Sequence, residues 1–203
     1  MRSVINSTYI TLDGVVRDPQ DWPSLGGFSD EGGRVQAALL EQCDAVLMGR
    51  HTYDGFAPVW SARSDPFSER MNALPKYVVS TTLTDPTWNN TTVIGSDPVG
   101  AVRGLKQQPG ADIVQYGFGS VSHALMGAGL IDELRLWVHP FFVGTGTADG
   151  LLYRAGSAGQ GVFGVPDHPD HRRNADQNDE KGRKRPILEV SAGGELVDVG
   201  GER

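Results

Sequence analysis

Short apolar runs alternate with segments of helical spacing along the chain as far as residue 139. Runs rich in β-branched and aromatic residues predict strands at residues 4–12, 45–48, 77–79, 92–94, 113–116 and 134–138. The run at 45–48 is apolar at every position, which is typical of a strand buried on both faces. Such strands, when helices separate them, predict an α/β domain with a mostly parallel sheet flanked by helices.

Three segments between these strands have the features of helices. Ser29 is a suitable N-cap for a helix whose apolar residues recur at helical spacing from Val35 to Leu39. Residues 99–105 predict a second helix, and residues 120–126 predict a third that ends at a glycine. The register of these elements is defined to within a few residues, whereas their alternation along the chain is clear.

Charge and cysteine content exclude several classes of protein. The formal net charge of −7 argues against nucleic acid or an anionic membrane as the main partner. The single cysteine, Cys43, excludes an internal disulfide and a cysteine-rich zinc site. No apolar run approaches the roughly 20 residues that span a bilayer. We therefore expect a cytoplasmic protein without a metal, in which Cys43 is a small core residue.

Small and polar residues follow three of the predicted strands. Glycines allow a backbone to approach a phosphate, and hydroxyls and helix N-terminal amides can donate hydrogen bonds to it. Arg50 adds a guanidinium fork suited to a phosphomonoester. Ligands of parallel sheets bind beyond the carboxyl ends of the strands, so these turns together resemble a dinucleotide cradle, although a G-x-G-x-x-G fingerprint is absent. They are Gly49-Arg50-His51-Thr52, Ser80-Thr81-Thr82 and Gly117-Phe118-Gly119-Ser120.

These segments resemble the dihydrofolate reductase family. Met48 to Thr52 is similar to its M-G-R-x-T motif, and Gly117 to Ser120 is similar to its glycine-rich phosphate turn. One branch is closer still, namely proteins similar to the C-terminal reductase domain of the bifunctional riboflavin-biosynthesis deaminase/reductase. The similarity runs from about residue 3 to about residue 147. The segments that carry the closer similarity are Leu12-Asp13-Gly14, residues 67–79 and residues 129–134.

The resemblance implies a twisted sheet with NADPH lying across the strand ends. On this analogy Arg50 and Thr81 face the 2′-phosphate, with Ser80 in the same turn. Thr52 and the turn at 117–120 hold the pyrophosphate, close to Gly49 and His51. This chain has Phe118 where the family has a Gly-Gly peptide that is often cis. A cis bond at Phe118 would cost about 3–4 kcal/mol, so we expect a different or a strained turn.

The candidate catalytic residues are the carboxylates Asp13 and Asp30. Asp13 ends the first strand, where a carboxylate could pair with pteridine or aminopyrimidine N–H groups, although an Asp-Gly turn explains it equally well. Asp30 is nearest to the pterin-binding acid of dihydrofolate reductases, or else it supports the helix start. Trp60, Met71 and Asn72 are candidates for lining the substrate side. The predicted function is NADPH-dependent reduction of a pterin-like or ribosylaminopyrimidine-like small molecule; the alternative is a non-catalytic ligand-binding module.

The C-terminal part departs from this pattern. Residues 1–153 form the predicted reductase domain, and residues 154–186 are polar and glycine-rich with few large apolar side chains. Such a segment cannot offset the entropy of ordering by burial, so we expect a flexible tether there. Alternating apolar residues within 187–203 predict a terminal β-hairpin. An imperfectly completed sheet edge, together with the family resemblance, favours a homodimer.

Overall fold

The structure, a computed structural model, describes residues 1–23 and 29–144 in full and the backbone of two C-terminal strands. The strands are β1 (Val4–Thr11), β2 (Cys43–Gly49), β3 (Lys76–Val79), β4 (Thr91–Ile94), β5 (Asp112–Tyr116), β6 (Glu133–His139), β7 (Ile187–Ala192) and β8 (Glu195–Val197). The α-helices are α1 (Asp30–Gln42), α2 (Arg50–Trp60), α3 (Pro66–Ala73), α4 (Pro98–Gln107) and α5 (Ser120–Gly127), and a 3-10 helix spans Pro19–Asp21. The predicted α/β alternation is confirmed.

The strands form one sheet in the order β4-β3-β2-β5-β1-β6-β7-β8. Every neighbouring pair from β4 to β7 is parallel, and β8 pairs antiparallel with β7. β1 lies in the middle, with Val4 opposite Ile113 of β5 and Ile5 opposite Glu133 of β6. Because β2, β3 and β5 run in the same direction, the turns that follow them meet at one edge of the sheet.

The core lies on both faces of this sheet, and β2 shows why. Val46 and Met48 pack in a cluster with residues of α1, α2 and α3. Ala45 and Leu47 pack on the opposite face with residues of α4 and α5. Alternate residues of a strand point to opposite faces, so a strand covered on both sides must be apolar at every position. The continuous apolar run at 45–48 therefore predicts its buried environment correctly.

A buried lysine closes the end of α3, a helix that is not among the predicted elements. The Lys76 ammonium donates to the carbonyl oxygens of Met71, Asn72 and Leu74, at 3.0, 2.9 and 2.7 Å. It also lies 4.7 Å from the centre of the Trp88 ring. Desolvation by burial lowers the pKa of Lys76 to about 8. The last carbonyls of a helix have no partner within the helix, and here one side chain supplies three of the missing hydrogen bonds.

The C-terminal strands continue the sheet beyond β6. β7 pairs in parallel with β6, and β8 folds back on β7 as a hairpin. The predicted polar segment at 154–186 lies outside the described residues. Among the residues that the structure describes, no helix is long and apolar enough to cross a membrane. The same residues contain no group of three or more His, Cys, Asp or Glu side chains that could hold a metal ion.

Candidate functional site

A cleft of about 1390 Å³ lies at the carboxyl ends of the parallel strands. Ligand pockets for drug-sized molecules typically measure about 300–1,000 Å³, so this cleft is larger than a typical pocket for one such molecule. The turns after β2, β3 and β5 form its floor. All ten predicted cofactor-binding residues line it: Gly49, Arg50, His51, Thr52, Ser80, Thr81, Gly117, Phe118, Gly119 and Ser120.

The turns after β2 and β5 touch each other at Thr52 and Gly117. Gly117 has φ +79°, a left-handed conformation that L side chains rarely adopt. A Cβ atom on Gly117 would lie 2.4 Å from the Thr52 hydroxyl oxygen. Both the conformation and the close approach therefore require glycine at this position.

A buried hydrogen-bond network holds the Gly117 turn from below. The Asn6 amide donates to the Gly117 carbonyl at 2.9 Å and to the Gln115 side-chain oxygen at 3.1 Å. The Gln115 amide donates to the Ser122 hydroxyl at 2.7 Å, and that hydroxyl donates to the Gly117 carbonyl at 3.2 Å. Asn6, Gln115 and Ser122 are buried. Buried hydrogen-bond networks rigidify the groups that they join, so these bonds hold the turn in position.

Two α-helices begin at the cleft without a side-chain cap. Ser29, Asp65 and Asp97 each accept a hydrogen bond from a first-turn amide of α1, α3 and α4. At α2 and α5 the N-caps are Gly49 and Gly119, and no side chain accepts such a bond. The first four amides of a helix have no partner within the helix, and they carry the positive end of its dipole. The first-turn amides of α2 and α5 are therefore available to an anion in the cleft.

Arg50 is held at the cleft by its neighbours. Its Nε lies 2.7 and 2.8 Å from the two carboxylate oxygens of Asp54, one helical turn further along α2. Its Nη1 lies 3.5 Å from the hydroxyl of Thr82, in the turn after β3. Ser80 shapes that turn, because its hydroxyl accepts hydrogen bonds from the amides of Thr82 and Leu83. The remaining guanidinium N–H groups can donate to a bound phosphate.

The loop after β1 reaches the cleft through Asp18. Asp18 has φ +50° and its carboxylate lies 2.7 Å from Nε2 of His51. The hydrogen bond with His51 is the main reason why the pKa of Asp18 lies below its usual value. The His51 side chain is exposed and the Asp18 side chain is half-buried, so this contact is a weak connection between the loop and the start of α2.

Phe118 occupies a turn built from trans peptides. Within the described residues there is no cis peptide bond, and Gly117 supplies the left-handed residue instead. The Phe118 side chain is buried against Ile10 and Val16, and its ring meets the His123 ring edge-on at 5.0 Å. The departure from the Gly-Gly pattern thus produces a different turn that is anchored in the core.

The two predicted catalytic carboxylates do not line the described part of the cleft. Asp13 accepts hydrogen bonds from the Thr11 hydroxyl and from the amides of Val143 and Gly144. The hydrogen bond from Thr11 is the largest cause of its lowered pKa. Asp30 is an exposed residue in the first turn of α1. In the structure, Asp13 therefore holds the loop at Val143 and Gly144, and Asp30 lies in the first turn of α1.

Of the three predicted substrate residues, Trp60 and Met71 line the cleft and Asn72 does not. The Asn72 side-chain oxygen accepts from the Trp88 indole at 2.6 Å, and its amide donates to the Trp60 carbonyl at 3.0 Å. Asn72 thus holds α3 against the end of α2. Its hydrogen-bonding groups face protein partners, which explains why it is absent from the cleft.

Four rings form a continuous wall at the side of the cleft beyond the cradle. We call Tyr116, Phe56, Trp60 and Phe67 the aromatic wall. Successive ring centres are 5.5, 6.0 and 5.3 Å apart, within the range of favourable aromatic contacts. Arg63 lies over the Trp60 ring at 5.1 Å. Of these rings, only Trp60 is predicted from the sequence, because Phe67 and Tyr116 come from other segments of the chain. The spacing of Phe56 and Trp60 by one turn of α2 is the signal that could have linked those two rings.

Tyr116 joins the aromatic wall to the cradle. It immediately precedes Gly117, and its side chain is 7% exposed. Its hydroxyl oxygen is buried and has no hydrogen-bond partner among the described residues. Burial raises the pKa of this phenol above its usual value, so the hydroxyl stays protonated and keeps a hydrogen to donate.

The fold is that of a dihydrofolate reductase-like α/β protein with a cleft at its strand ends. The RibD C-terminal domain family matches residues 2–158. The uncharacterized protein YyaP of Bacillus subtilis (strain 168) is 31% identical over 157 residues, which cover 71% of this chain and 78% of YyaP. This chain belongs to the RibD C-terminal domain family, which confirms the family resemblance of its motifs.

A solved structure shares this fold. A Shewanella sp. PV-4 protein, provisionally named a riboflavin biosynthesis protein, has a TM-score of 0.53 and 23% identity, covering 71% of this chain and 81% of that chain. A second neighbour is the diaminohydroxyphosphoribosylaminopyrimidine deaminase/5-amino-6-(5-phosphoribosylamino)uracil reductase of Thermotoga maritima. It has a TM-score of 0.49 and 16% identity, and the match covers 71% of this chain and 46% of that protein.

Proposed function

We propose that this protein is an NADPH-dependent reductase of the riboflavin-biosynthesis type, acting on a pterin-like or ribosylaminopyrimidine-like small molecule. The observation that carries the proposal is the pair of helix N-termini, of α2 and α5, that begin at the cleft with glycine N-caps and no side-chain cap. Membership of the RibD C-terminal domain family supports the same assignment.

The residues of the cradle fit a dinucleotide with an additional phosphate. The amides that begin α2 and α5 would hold the pyrophosphate, because both helices direct their positive ends at the cleft. Gly117 lets the backbone approach closely, and the buried network beneath it keeps the turn in place. Arg50 and the hydroxyls of Thr81 and Thr82 would take the 2′-phosphate. When bound, NADPH supplies the hydride for the reduction.

The rest of the cleft would orient the substrate. The aromatic wall offers flat apolar surface on which a planar ring can stack, next to the point where Tyr116 meets the cradle. Exclusion of water by this wall strengthens electrostatic interactions within the cleft. Orientation of two bound molecules supplies a large share of the rate of a bimolecular reaction. The protein's contribution is therefore positioning.

Titration with NADPH and NADH tests the cofactor assignment. Arg50 is 40% exposed and already bonded to Asp54, so we expect its loss to act at the lower end of charge-assisted contacts. Arg50→Ala should weaken NADPH binding about tenfold and leave NADH binding unchanged. The matched control is Arg34→Ala, which removes an exposed helix arginine that does not line the cleft. Equal affinity of the wild-type protein for both dinucleotides would refute the 2′-phosphate assignment.

Turnover requires a second measurement. The assay follows the loss of the nicotinamide absorbance of NADPH when dihydrofolate, a pterin or a ribosylaminopyrimidine is added. Oxidation that depends on one of these compounds supports the reductase. Tight NADPH binding without turnover of any of them would favour a non-catalytic ligand-binding module instead.

A further inference from the structure

Helix α1 turns one face to the cleft. Of its thirteen residues, Gly33, Gln36 and Ala37 line the cleft, and their spacing of three and four residues places them on one side of the helix. We call these three residues the α1 face. The charged residues of α1 do not line the cleft, so the α1 face presents no charge to a ligand.

Gln36 holds the unused hydrogen-bonding capacity of the α1 face. The residue is 7% exposed, yet its side-chain amide forms no hydrogen bond with any residue that the structure describes. The amide is not sealed in the core, because it is not among the fully buried side-chain atoms that lack a partner. It therefore keeps accessible surface, and the cleft is the space that Gln36 borders. A largely buried amide without a partner is costly, and a ligand group that pairs with it removes that cost.

The glycine one turn before Gln36 leaves room for a ligand. A Cβ atom on Gly33 would have no neighbouring atom within 4 Å, and the φ of Gly33 is not left-handed. Glycine within a helix is destabilising relative to alanine. Neither the packing nor the conformation of the fold therefore explains glycine at this position. A ligand group that lies against the helix backbone would use the open space.

The chemistry of the α1 face favours an uncharged polar group. A glutamine amide offers two N–H donors and one carbonyl acceptor, and a hydroxyl can pair with either end because it both donates and accepts. A carboxylate only accepts, and it is bound most strongly by a cation, which the α1 face does not supply. The α1 face is therefore complementary to a hydroxyl-bearing group.

We infer that the α1 face is a subsite for an uncharged, hydroxyl-bearing substituent of the substrate, and that Gln36 is a specificity-determining residue that selects this substituent over an anionic one. The inference rests on the proposed function, because it concerns a substituent of the molecule that the same cleft would reduce. It does not depend on which ring the aromatic wall stacks. A site that hydrogen-bonds a ligand hydroxyl rejects the analogue that lacks it.

Three pterins with different substituents on the same ring atom test the inference by calorimetric titration of the full chain. 6-Hydroxymethylpterin carries the hydroxyl, 6-methylpterin lacks it, and 6-carboxypterin has a carboxylate in its place. The wild-type protein should bind the hydroxymethyl form about three- to tenfold more tightly than the methyl form, and the carboxylate form least tightly. Gln36→Met should abolish the preference for the hydroxymethyl form. The control Gln107→Met removes an amide at the end of α4, outside the cleft lining, and should leave all three affinities unchanged.

Urea unfolding of the same proteins separates a ligand-binding role from a structural one. Gln36→Met removes a polar group without a protein partner, so its unfolding midpoint should equal or exceed that of the wild-type protein. Gly33→Ala should raise the midpoint and weaken the binding of 6-hydroxymethylpterin by about fivefold or more, because the new methyl group fills the subsite. The matched control Gly104→Ala, which also has open space at its Cβ position, should raise the midpoint and leave binding unchanged.

Titration with NADPH keeps this inference and the proposed function distinguishable. If NADPH fails to bind while the protein prefers 6-hydroxymethylpterin in a Gln36-dependent way, the cofactor assignment fails and this inference stands. If NADPH binds and the three pterins bind equally, the cofactor assignment stands and this inference fails. A lowered unfolding midpoint in Gln36→Met, an unchanged preference in that variant, or binding of none of the pterins would also overturn the inference.

Discussion

Substitution of Gly117 by alanine tests the contact between the two cradle turns. An L residue forced into the left-handed region costs about 1–2 kcal/mol. The new Cβ would also lie 2.4 Å from the Thr52 hydroxyl oxygen, whereas ordinary contact begins near 3.4 Å. Moving that hydroxyl off its rotamer costs about 0.5–1.5 kcal/mol more. We therefore expect Gly117→Ala to lower the free energy of unfolding by about 1.5–3.5 kcal/mol.

A double-mutant cycle separates these two causes. In the Gly117→Ala background, Thr52→Ala removes the clashing hydroxyl and leaves a methyl carbon 3.5 Å from the new Cβ, which is an ordinary contact. The conformational cost at Gly117 remains. The cycle should give a coupling energy of about 0.5–1.5 kcal/mol, as expected for residues in direct contact. Urea unfolding of the four proteins at one pH provides the measurement.

The matched control is Gly104→Ala in α4. A Cβ atom on Gly104 would have no neighbouring atom within 4 Å, and the φ of Gly104 is not left-handed. Alanine there should raise stability by about 0.5–1 kcal/mol. If Gly117→Ala is as stable as Gly104→Ala, the close approach of the two turns is refuted. A coupling energy of zero would show that Thr52 and Gly117 do not touch.

Further predictions concern the buried ionisable groups and the assembly. Lys76→Met removes a donor from three carbonyls, of which only that of Asn72 keeps a second donor, the Asn90 amide, and should lower the free energy of urea unfolding by about 2–4 kcal/mol; unchanged stability would exclude the helix-closing role. Folding lowers the pKa of Lys76 from 10.5 to about 8, so the contribution of this residue to the free energy of unfolding rises by about 1.4 kcal/mol per pH unit between those values. The difference in free energy of unfolding between the wild-type protein and Lys76→Met should show the same rise with pH. Burial raises the pKa of Cys43 from 9.0 to about 12, so the contribution of this residue to the free energy of unfolding decreases as pH increases through that range. Cys43→Ala should abolish this decrease. Light scattering should give the mass of a homodimer, and a monomeric mass at micromolar concentration would contradict that proposal.

Local chemistry in the sequence predicts the sheet and the cradle well. The Ser29 cap is confirmed, because its hydroxyl accepts from the Gly32 amide at 3.1 Å. The cradle turns lie together because parallel strands bring their carboxyl ends to one edge, and glycines and hydroxyls mark those ends. The helix α3 is not predicted because the residues that fix its ends lie outside it: Asp65 precedes it, and Lys76 belongs to the following strand.

Side chains with distant partners are the ones that the sequence does not place. Asp13 is bonded to amides 130 and 131 residues away, and no local pattern reveals such a contact. Asn72 satisfies Trp88, which lies in a loop. The aromatic wall draws its rings from two helices and a strand, so only the packed structure shows that Tyr116 belongs with Trp60.

The network of Asn6, Gln115 and Ser122 has a consequence for the thermodynamics of ligand binding. Two buried donors already hold the Gly117 carbonyl, so the turn is ordered before an anion binds. Binding at the cradle should therefore show the heat-capacity change of surface burial alone, without the large additional decrease that accompanies coupled ordering. Its association rate should then be set by diffusion and orientation.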